Sequence, residues 1–294
     1  MSCSVNHHQS QKYGKIMKPA NIKKAVIPAA GFGNRLMPIT KAVPKELLPF
    51  GSFPAIHYAV KEIVNCGIQQ IAIIIREGKT AIRNYFTLSE DDVSNNIYDK
   101  VQISYIYQEE QRGLGDAILE CQKFVANQPF AVILPDNIIP NRQTGLSALI
   151  KCYKNFGCSC IGLIPINEEN AEYFSEIYCN PVSDGVFQII RLRTKKESKR
   201  EKKPNVDKRY GIVGRYIFKP SIFGHLKHIK MSVIGEFSEE EALNALIEEE
   251  NVYGIEFTSE VYDIGTIKSY KDSLLRFLLK ETNQEIKRNA EVTK

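Results

Sequence analysis

A single open α/β sheet covered by helices on both faces is the fold this sequence predicts, on three observations. Over the first ~160 residues, short apolar runs rich in β-branched residues alternate with stretches of helical periodicity, the pattern of parallel strands joined by crossover helices. From Val182 onward the rhythm changes to strands joined by loops, with single helices at 239–249 and at the C-terminal end, which adds a second style of pairing to the sheet. The chain has 294 residues, 43% hydrophobic and 25% charged, an ordinary globular balance and enough length for one extended core.

Strands are expected at 24–29, 70–75, 101–107, 131–134, 160–166, 186–192, 212–218 and 252–257. The helix expected at 54–65 places Ile56, Val60, Ile63 and Val64 on one stripe and stops at Cys66-Gly67. A second, at 116–126, turns Ala117, Ile118, Cys121, Phe124 and Val125 inward, with Asp116 as an N-cap residue. A third spans 146–156, and an amphipathic helix over 267–280 closes the fold. Residues 194–209 form the one long insertion without secondary structure, and no internal repeat is visible. Residues 1–20 are polar, lack the apolar region of a signal peptide, and are expected to be a mobile tail before a domain spanning 21–294.

The formal charge of +5 is local: residues 191–203 alone carry a net +6, leaving the remainder at −1. The basic character is thus one loop and not the broad footprint of a nucleic-acid-binding face. No apolar run approaches the ~18 residues needed to span a bilayer. The seven cysteines form no C-x-x-C pair, are odd in number, and include three within apolar helical patterns, so reduced thiols in a cytoplasmic protein are expected. The charged helices of the last ~60 residues suit either a solvated face or a homo-oligomer interface.

The chemistry begins where the first strand runs into Pro28-Ala29-Ala30-Gly31-Phe32-Gly33-Asn34-Arg35. Small residues and glycines after a strand let backbone N–H groups approach a phosphate closely. Leu36 stands where a dinucleotide fingerprint needs its third glycine, and the Gly-Lys-Ser/Thr of a Walker A loop is absent. Between Arg35 and Pro49 the chain holds three cations (Arg35, Lys41, Lys45) and three prolines (Pro38, Pro44, Pro49), a stiff cationic loop suited to a triphosphate. Asp136 ends the apolar run 131–134, at the edge where open α/β sheets bind ligands.

Lys24-Ala-Val-Ile-Pro-Ala-Ala-Gly31-Phe-Gly33-Asn-Arg35 and Pro44-Lys45-Glu46-Leu47-Leu48-Pro49 closely resemble the two opening signatures of the bacterial UTP–glucose-1-phosphate uridylyltransferases, part of the sugar-phosphate nucleotidyltransferases. The resemblance implies a single Rossmann-like mixed sheet flanked by helices, of the nucleotide-diphospho-sugar transferase type. It implies UTP and a sugar 1-phosphate as substrates and Mg²⁺ as cofactor. Arg35 and Lys45 take the catalytic positions on the phosphates. Ala29, Ala30, Gly31, Gly33, Gln108 and Gly113 take the nucleotide-binding ones, with Gln108 five residues before Gly113-Leu114-Gly115 as the family's uracil-contacting Gln stands before its own Gly-Leu-Gly. Asp136 and Asp263, the latter in Val261-Tyr262-Asp263-Ile264-Gly265, match the metal ligands. Glu236 matches the sugar-binding Glu, and Lys195 stands in for the phosphate-binding Lys of a Val-Glu-Lys-Pro element that does not align cleanly here. The chain departs elsewhere too: Asn34 replaces a Thr, Asp116 replaces a His, and Tyr173-Phe174 replaces a Tyr-Gly. Another sugar or nucleotide, a non-catalytic nucleotide-binding homologue, and a glycosyltransferase consuming UDP-sugars remain alternatives. The last would call for Asp-x-Asp, of which this chain has one Asp.

Overall fold

The computed structural model describes residues 19–87, 101–140, 145–167, 174–193, 209–229 and 239–292. The strands among them are β1 (Lys24–Pro28), β2 (Pro49–Phe50), β3 (Phe53–Pro54), β4 (Gln70–Ile75), β5 (Gln102–Tyr107), β6 (Phe130–Ile133), β7 (Asn137–Ile138), β8 (Ser159–Ile166), β9 (Glu176–Ser183), β10 (Val186–Arg193), β11 (Arg209–Phe218), β12 (Val252–Glu256) and β13 (Tyr262–Asp263). The helices are α1 (Ala55–Asn65), α2 (Thr80–Tyr85), α3 (Leu114–Glu120), α4 (Gln122–Val125), α5 (Leu146–Phe156), α6 (Ile222–His228), α7 (Glu239–Glu249) and α8 (Ile267–Val292).

Nine strands form one mixed sheet in the order β5-β4-β1-β6-β11-β8-β12-β10-β9. Its first four strands are parallel; β11 enters antiparallel between β6 and β8, and β12 runs parallel to β8. Period-2 alternation explains the two-faced burial. In β1, Ala25 and Ile27 pack with Ile56, Val60 and Ile63 of α1 and with Leu149 of α5, while Val26 packs on the opposite face with Ala117 and Ile118 of α3. The second face is completed by Phe223 of α6 and Leu243 of α7. A third, smaller cluster gathers Phe50, Ala55, Ile138, Tyr262, Ile264 and Phe277, and ties α8 to the start of the chain.

The predicted α/β class and each expected strand are present. α1 begins one residue later than expected, and α5 and α7 occupy the expected ranges. The helix expected at 116–126 is instead two pieces that begin earlier, at Leu114, and break at Cys121. Asp116 does not cap it: Gly113 occupies the N-cap, and the Asp116 side chain is buried within the first turn. Strand β9 was not expected. Its Asn180, Pro181 and Ser183 are poor strand formers, yet they lie on the exposed end of an edge strand, where proline and polar residues are tolerated. The insertion expected at 194–209 ends before Arg209, which opens β11, and residues 194–208 lie outside the described residues, as do residues 1–18 of the expected tail. The closing helix is longer than expected and runs to Val292. Among the described residues, no helix is long and apolar enough to cross a membrane.

Candidate active site

The C-terminal ends of the parallel strands meet at one edge, where each bears a piece of the site. After β1, the Ala29 N–H donates to Ile74 O of β4 (2.8 Å), and after β5 the Gln108 N–H donates to Ile75 O (2.9 Å). Ala29, Ala30 and Gln108 are all buried, whereas Gly31 and Gly113 are exposed. The chain then turns through Gly33, held at φ +72°. A Cβ there would come within 2.8 Å of the Thr40 methyl, so glycine is required by both conformation and space. Thr40 Oγ1 donates back to Gly33 O (2.9 Å), closing the loop that carries Arg35.

Two lysines pin this loop region. Lys79, 3% exposed, donates to Ala29 O (2.6 Å) and to Glu46 Oε2 (2.7 Å). Burial lowers its pKa from the ordinary lysine value, and the Glu46 carboxylate opposes that shift. Lys45, next in sequence to Glu46, reaches the other way and donates to Asp136 Oδ2 (2.7 Å). Burial works against the charge on both members of this pair, but their mutual attraction outweighs it. Asp136 is held below the usual carboxylate value, with Arg35 assisting, and Lys45 is held above the usual lysine value by Asp136 and Glu46.

A two-stranded ribbon brings in the distant carboxylate. β7 pairs antiparallel with β13, setting Asp263 opposite Asn137, and Ile264 N–H donates to Asp136 O (2.9 Å). Asn137 Nδ2 donates to Asp263 Oδ2 (3.0 Å), while its Oδ1 accepts from the Gly214 N–H of β11 (2.9 Å). Burial raises the pKa of Asp263, and the nearby charge of Asp136 adds to the rise against hydrogen bonds and Arg35. Gly214 is needed here for close approach, because a Cβ would lie 2.4 Å from that of Leu134. Arg35, Asp136, Asn137, Phe174, Ser175, Ile212, Gly214, Tyr216, Glu239, Asp263 and Thr266 line one cavity.

The segment behind this cavity is fixed by a buried ion pair. Arg215, 1% exposed, donates to Glu62 Oε2 of α1 (2.9 Å), Leu134 O (3.0 Å), Asn137 O (2.7 Å) and Gly214 O (3.0 Å). Glu62 Oε1 accepts from the Leu146 N–H that opens α5 (2.7 Å). With both charges paired and their remaining hydrogen-bonding capacity used, this network holds the Asp136 segment against α1 and α5.

Of the residues expected from sequence, Arg35, Lys45, Asp136 and Asp263 are brought together, and Ala29, Ala30, Gly31, Gly33, Gln108 and Gly113 lie along the same strand-end edge. Lys195 and Glu236 lie outside the described residues. Asp136 and Asp263 offer hard oxygen donors to one cavity. Burial first, and the nearby Asp136 charge second, disfavour the ionised Asp263 carboxyl, and a divalent cation would offset both, so the donor set fits Mg²⁺. Among the described residues, no group of three or more His, Cys, Asp or Glu gathers as a metal site. Two carboxylates are the complement that Mg²⁺ takes when substrate phosphates and waters fill its remaining positions. Sequence reasoning missed Asn137, Lys79, Glu62 and the Asp116 contact. Asn137 was signalled by its place beside Asp136, whereas the partners of the others are visible only in three dimensions.

The chain matches the nucleotidyl transferase family over residues 24–278. It is 35% identical over 263 residues to the UTP–glucose-1-phosphate uridylyltransferase of Mycoplasma genitalium, covering 83% of this chain and 88% of the relative. It is 33% identical over 274 residues to UTP–glucose-1-phosphate uridylyltransferase 1 of Staphylococcus saprophyticus, covering 88% and 94%. Its structure is similar to a UDP-glucose pyrophosphorylase solved with UDP-glucose, with a TM-score of 0.80 at 30% identity over 88% of this chain and 99% of that one. Motifs, sheet order and site geometry converge with these likenesses, and the chain belongs to the nucleotidyl transferase family, among its UTP–glucose-1-phosphate uridylyltransferases.

Proposed function

We propose that this chain transfers the uridylyl group of UTP to glucose 1-phosphate, giving UDP-glucose and pyrophosphate. The observation that carries the reading is the junction of Arg35 and Lys45 with Asp136 and Asp263 at the strand ends, in a chain of this family. An oxygen of the sugar phosphate attacks the α-phosphorus of UTP in line, the bond to the β-phosphate oxygen breaks, and pyrophosphate leaves. The nucleophile is already an anion, so no general base and no covalent enzyme intermediate are needed. The work left to the protein is positioning and charge neutralisation.

In this reading Gln108 and the Ala29–Ala30 backbone hold uracil, while Gly31, Gly33 and Gly113 let the chain approach the nucleotide closely. Arg35 grips phosphate oxygens with its planar fork, and Lys45 supplies a point charge between the phosphates and Asp136. Asp136 and Asp263 would hold Mg²⁺, which supplies positive charge to the phosphate oxygens when bound. Glu236 is assigned to the sugar hydroxyls and Lys195 to the sugar phosphate. Free thiols at Cys66, Cys121, Cys152, Cys158, Cys160 and Cys179 support a cytoplasmic setting. The exposed Leu275, Leu278, Leu279 and Ile286 of α8 support a homo-oligomer. Nucleic acid and membrane have no part in this reading.

Release of pyrophosphate from UTP, measured with glucose 1-phosphate and without it, tests the proposal; release that ignores the sugar phosphate would overturn it. Phe174 lines the cavity where the family pattern has glycine, and this favours a different sugar 1-phosphate as the second reading. The same assay run with a series of sugar phosphates separates the two.

A further inference from the structure

Gln108 is 3% exposed, and both contacts of its amide nitrogen are to pure acceptors: Asp116 Oδ2 at 2.8 Å and Gly113 O at 3.3 Å. Asp116, 2% exposed in the first turn of α3, is itself held through Oδ1 by Arg112 Nη2 (3.1 Å). A side-chain amide can ordinarily turn over, exchanging its donor end for its acceptor end. Here it cannot, because the reversed amide would set its oxygen against a carboxylate and a carbonyl oxygen. The NH₂ group is therefore committed to Asp116 and Gly113, and Oε1, on the other limb of the planar amide, is the atom left for a ligand.

We propose that Asp116 is a positioning residue that sets base selectivity, by fixing Gln108 so that only an acceptor faces the nucleobase. Uracil presents a donor, N3–H, between two carbonyl oxygens, whereas cytosine presents an acceptor at N3 and an amino group at C4. A fixed Gln108 Oε1 accepts from uracil N3–H and meets cytosine N3 lone pair to lone pair. The fixed orientation thus admits uracil and rejects cytosine, although a freely turning glutamine would serve both. This inference rests on the proposed contact of Gln108 with the base and adds the residue that gives that contact its sign.

The test measures kcat/KM for UTP and for CTP with glucose 1-phosphate. Asp116→Asn keeps the shape but offers Gln108 either a donor or an acceptor, so the amide is released. The UTP-to-CTP ratio is expected to fall at least ~10-fold, with activity on CTP rising as activity on UTP falls. A merely structural role would lower both nucleotides together and leave the ratio unchanged, which would overturn the proposal. Asp116→Ala gives the same reading if the Asn variant does not fold, since the amide then keeps only the long 3.3 Å contact with Gly113 O, which is too weak to stop it turning over. Gln108→Ala separates the two claims. If it leaves the ratio intact, the base contact itself is wrong. If it collapses the ratio while both Asp116 variants preserve it, Gln108 reads the base without Asp116.

Discussion

Among the residues assigned to the nucleotide, each is held by a buried polar partner from another segment: Ala29 by Lys79, Gln108 by Asp116, and Lys45 by Asp136. On the side assigned to the sugar the walls are set by packing. Gly211 leaves room for Phe174, whose Cβ lies 2.6 Å from where a glycine-borne Cβ would sit, and Ser175 donates to Glu240 at the start of α7. The contrast teaches which half tolerates change. A buried charge with a single partner loses its compensation when that partner is removed, whereas a packed wall can be reshaped by neighbouring side chains. This chain departs from the family pattern on the packed side at Phe174, and on the other side at Asp116, where one polar partner stands in place of the family's His.

The sharpest test of that contrast is Asp136→Asn or Asp263→Asn. Either is expected to cut turnover on the order of a thousandfold in the pyrophosphate assay, because a full charge leaves the pair proposed to hold Mg²⁺. A folded variant retaining a tenth of the activity would show that the polar half is as tolerant as the other. Lys45→Ala should follow, with kcat down about a hundredfold and more than for Arg35→Lys, if Lys45, paired with Asp136, meets charge that develops on the phosphates as proposed. Equal, small effects of the two would reduce the loop to a scaffold.

Arg215→Met probes the support behind the cavity. It strands the Glu62 carboxylate, and a loss of about 3 kcal/mol in urea unfolding is expected; an unchanged midpoint would mean that Glu62 finds water. On the sugar side, Lys195→Ala should raise the sugar-phosphate KM several-fold with UTP binding unaltered, an effect that added salt should diminish. Unchanged kinetics would remove Lys195 from the site.

The smallest effect is one of pH. His57 lies 3.0 Å from the Tyr85 hydroxyl and stacks on Phe53, and burial, with Lys61 adding, lowers its pKa to about 4. The unfolded chain binds this proton near 6.5 and the folded chain only near 4, so stability is full above 6.5 and declines as pH falls through that window. His57→Gln should flatten the melting temperature between those pH values; an unaltered slope would point to other groups.

The polar half was also the more legible in sequence. Arg35, Lys45, Asp136 and Asp263 sit in short contiguous motifs because backbone loops and strand ends impose their spacing locally. Lys79 and Glu62 were unreadable, since each pairs with a residue far along the chain and nothing in its own neighbourhood marks it. Asp116 was misread as a cap because an aspartate near a helix start has that local preference, which the buried amide of Gln108 overrides. β9 was missed because an edge strand needs little apolar alternation.

The β7–β13 ribbon has a consequence in the order of synthesis. Asn137 and Asp263 stand 126 residues apart, and the ribbon is backed by Ser273, whose hydroxyl donates to Asp263 O (2.7 Å), and by Phe277 in the third core cluster. A nascent chain that has exposed β1 through β6 already owns the glycine loop, Lys45 and Gln108, yet it cannot assemble the paired carboxylates until α8 has emerged and docked. Premature termination or trimming before Phe277 is therefore expected to leave the two carboxylates without the support that sets them together, even where the glycine loop, Lys45 and Gln108 are complete.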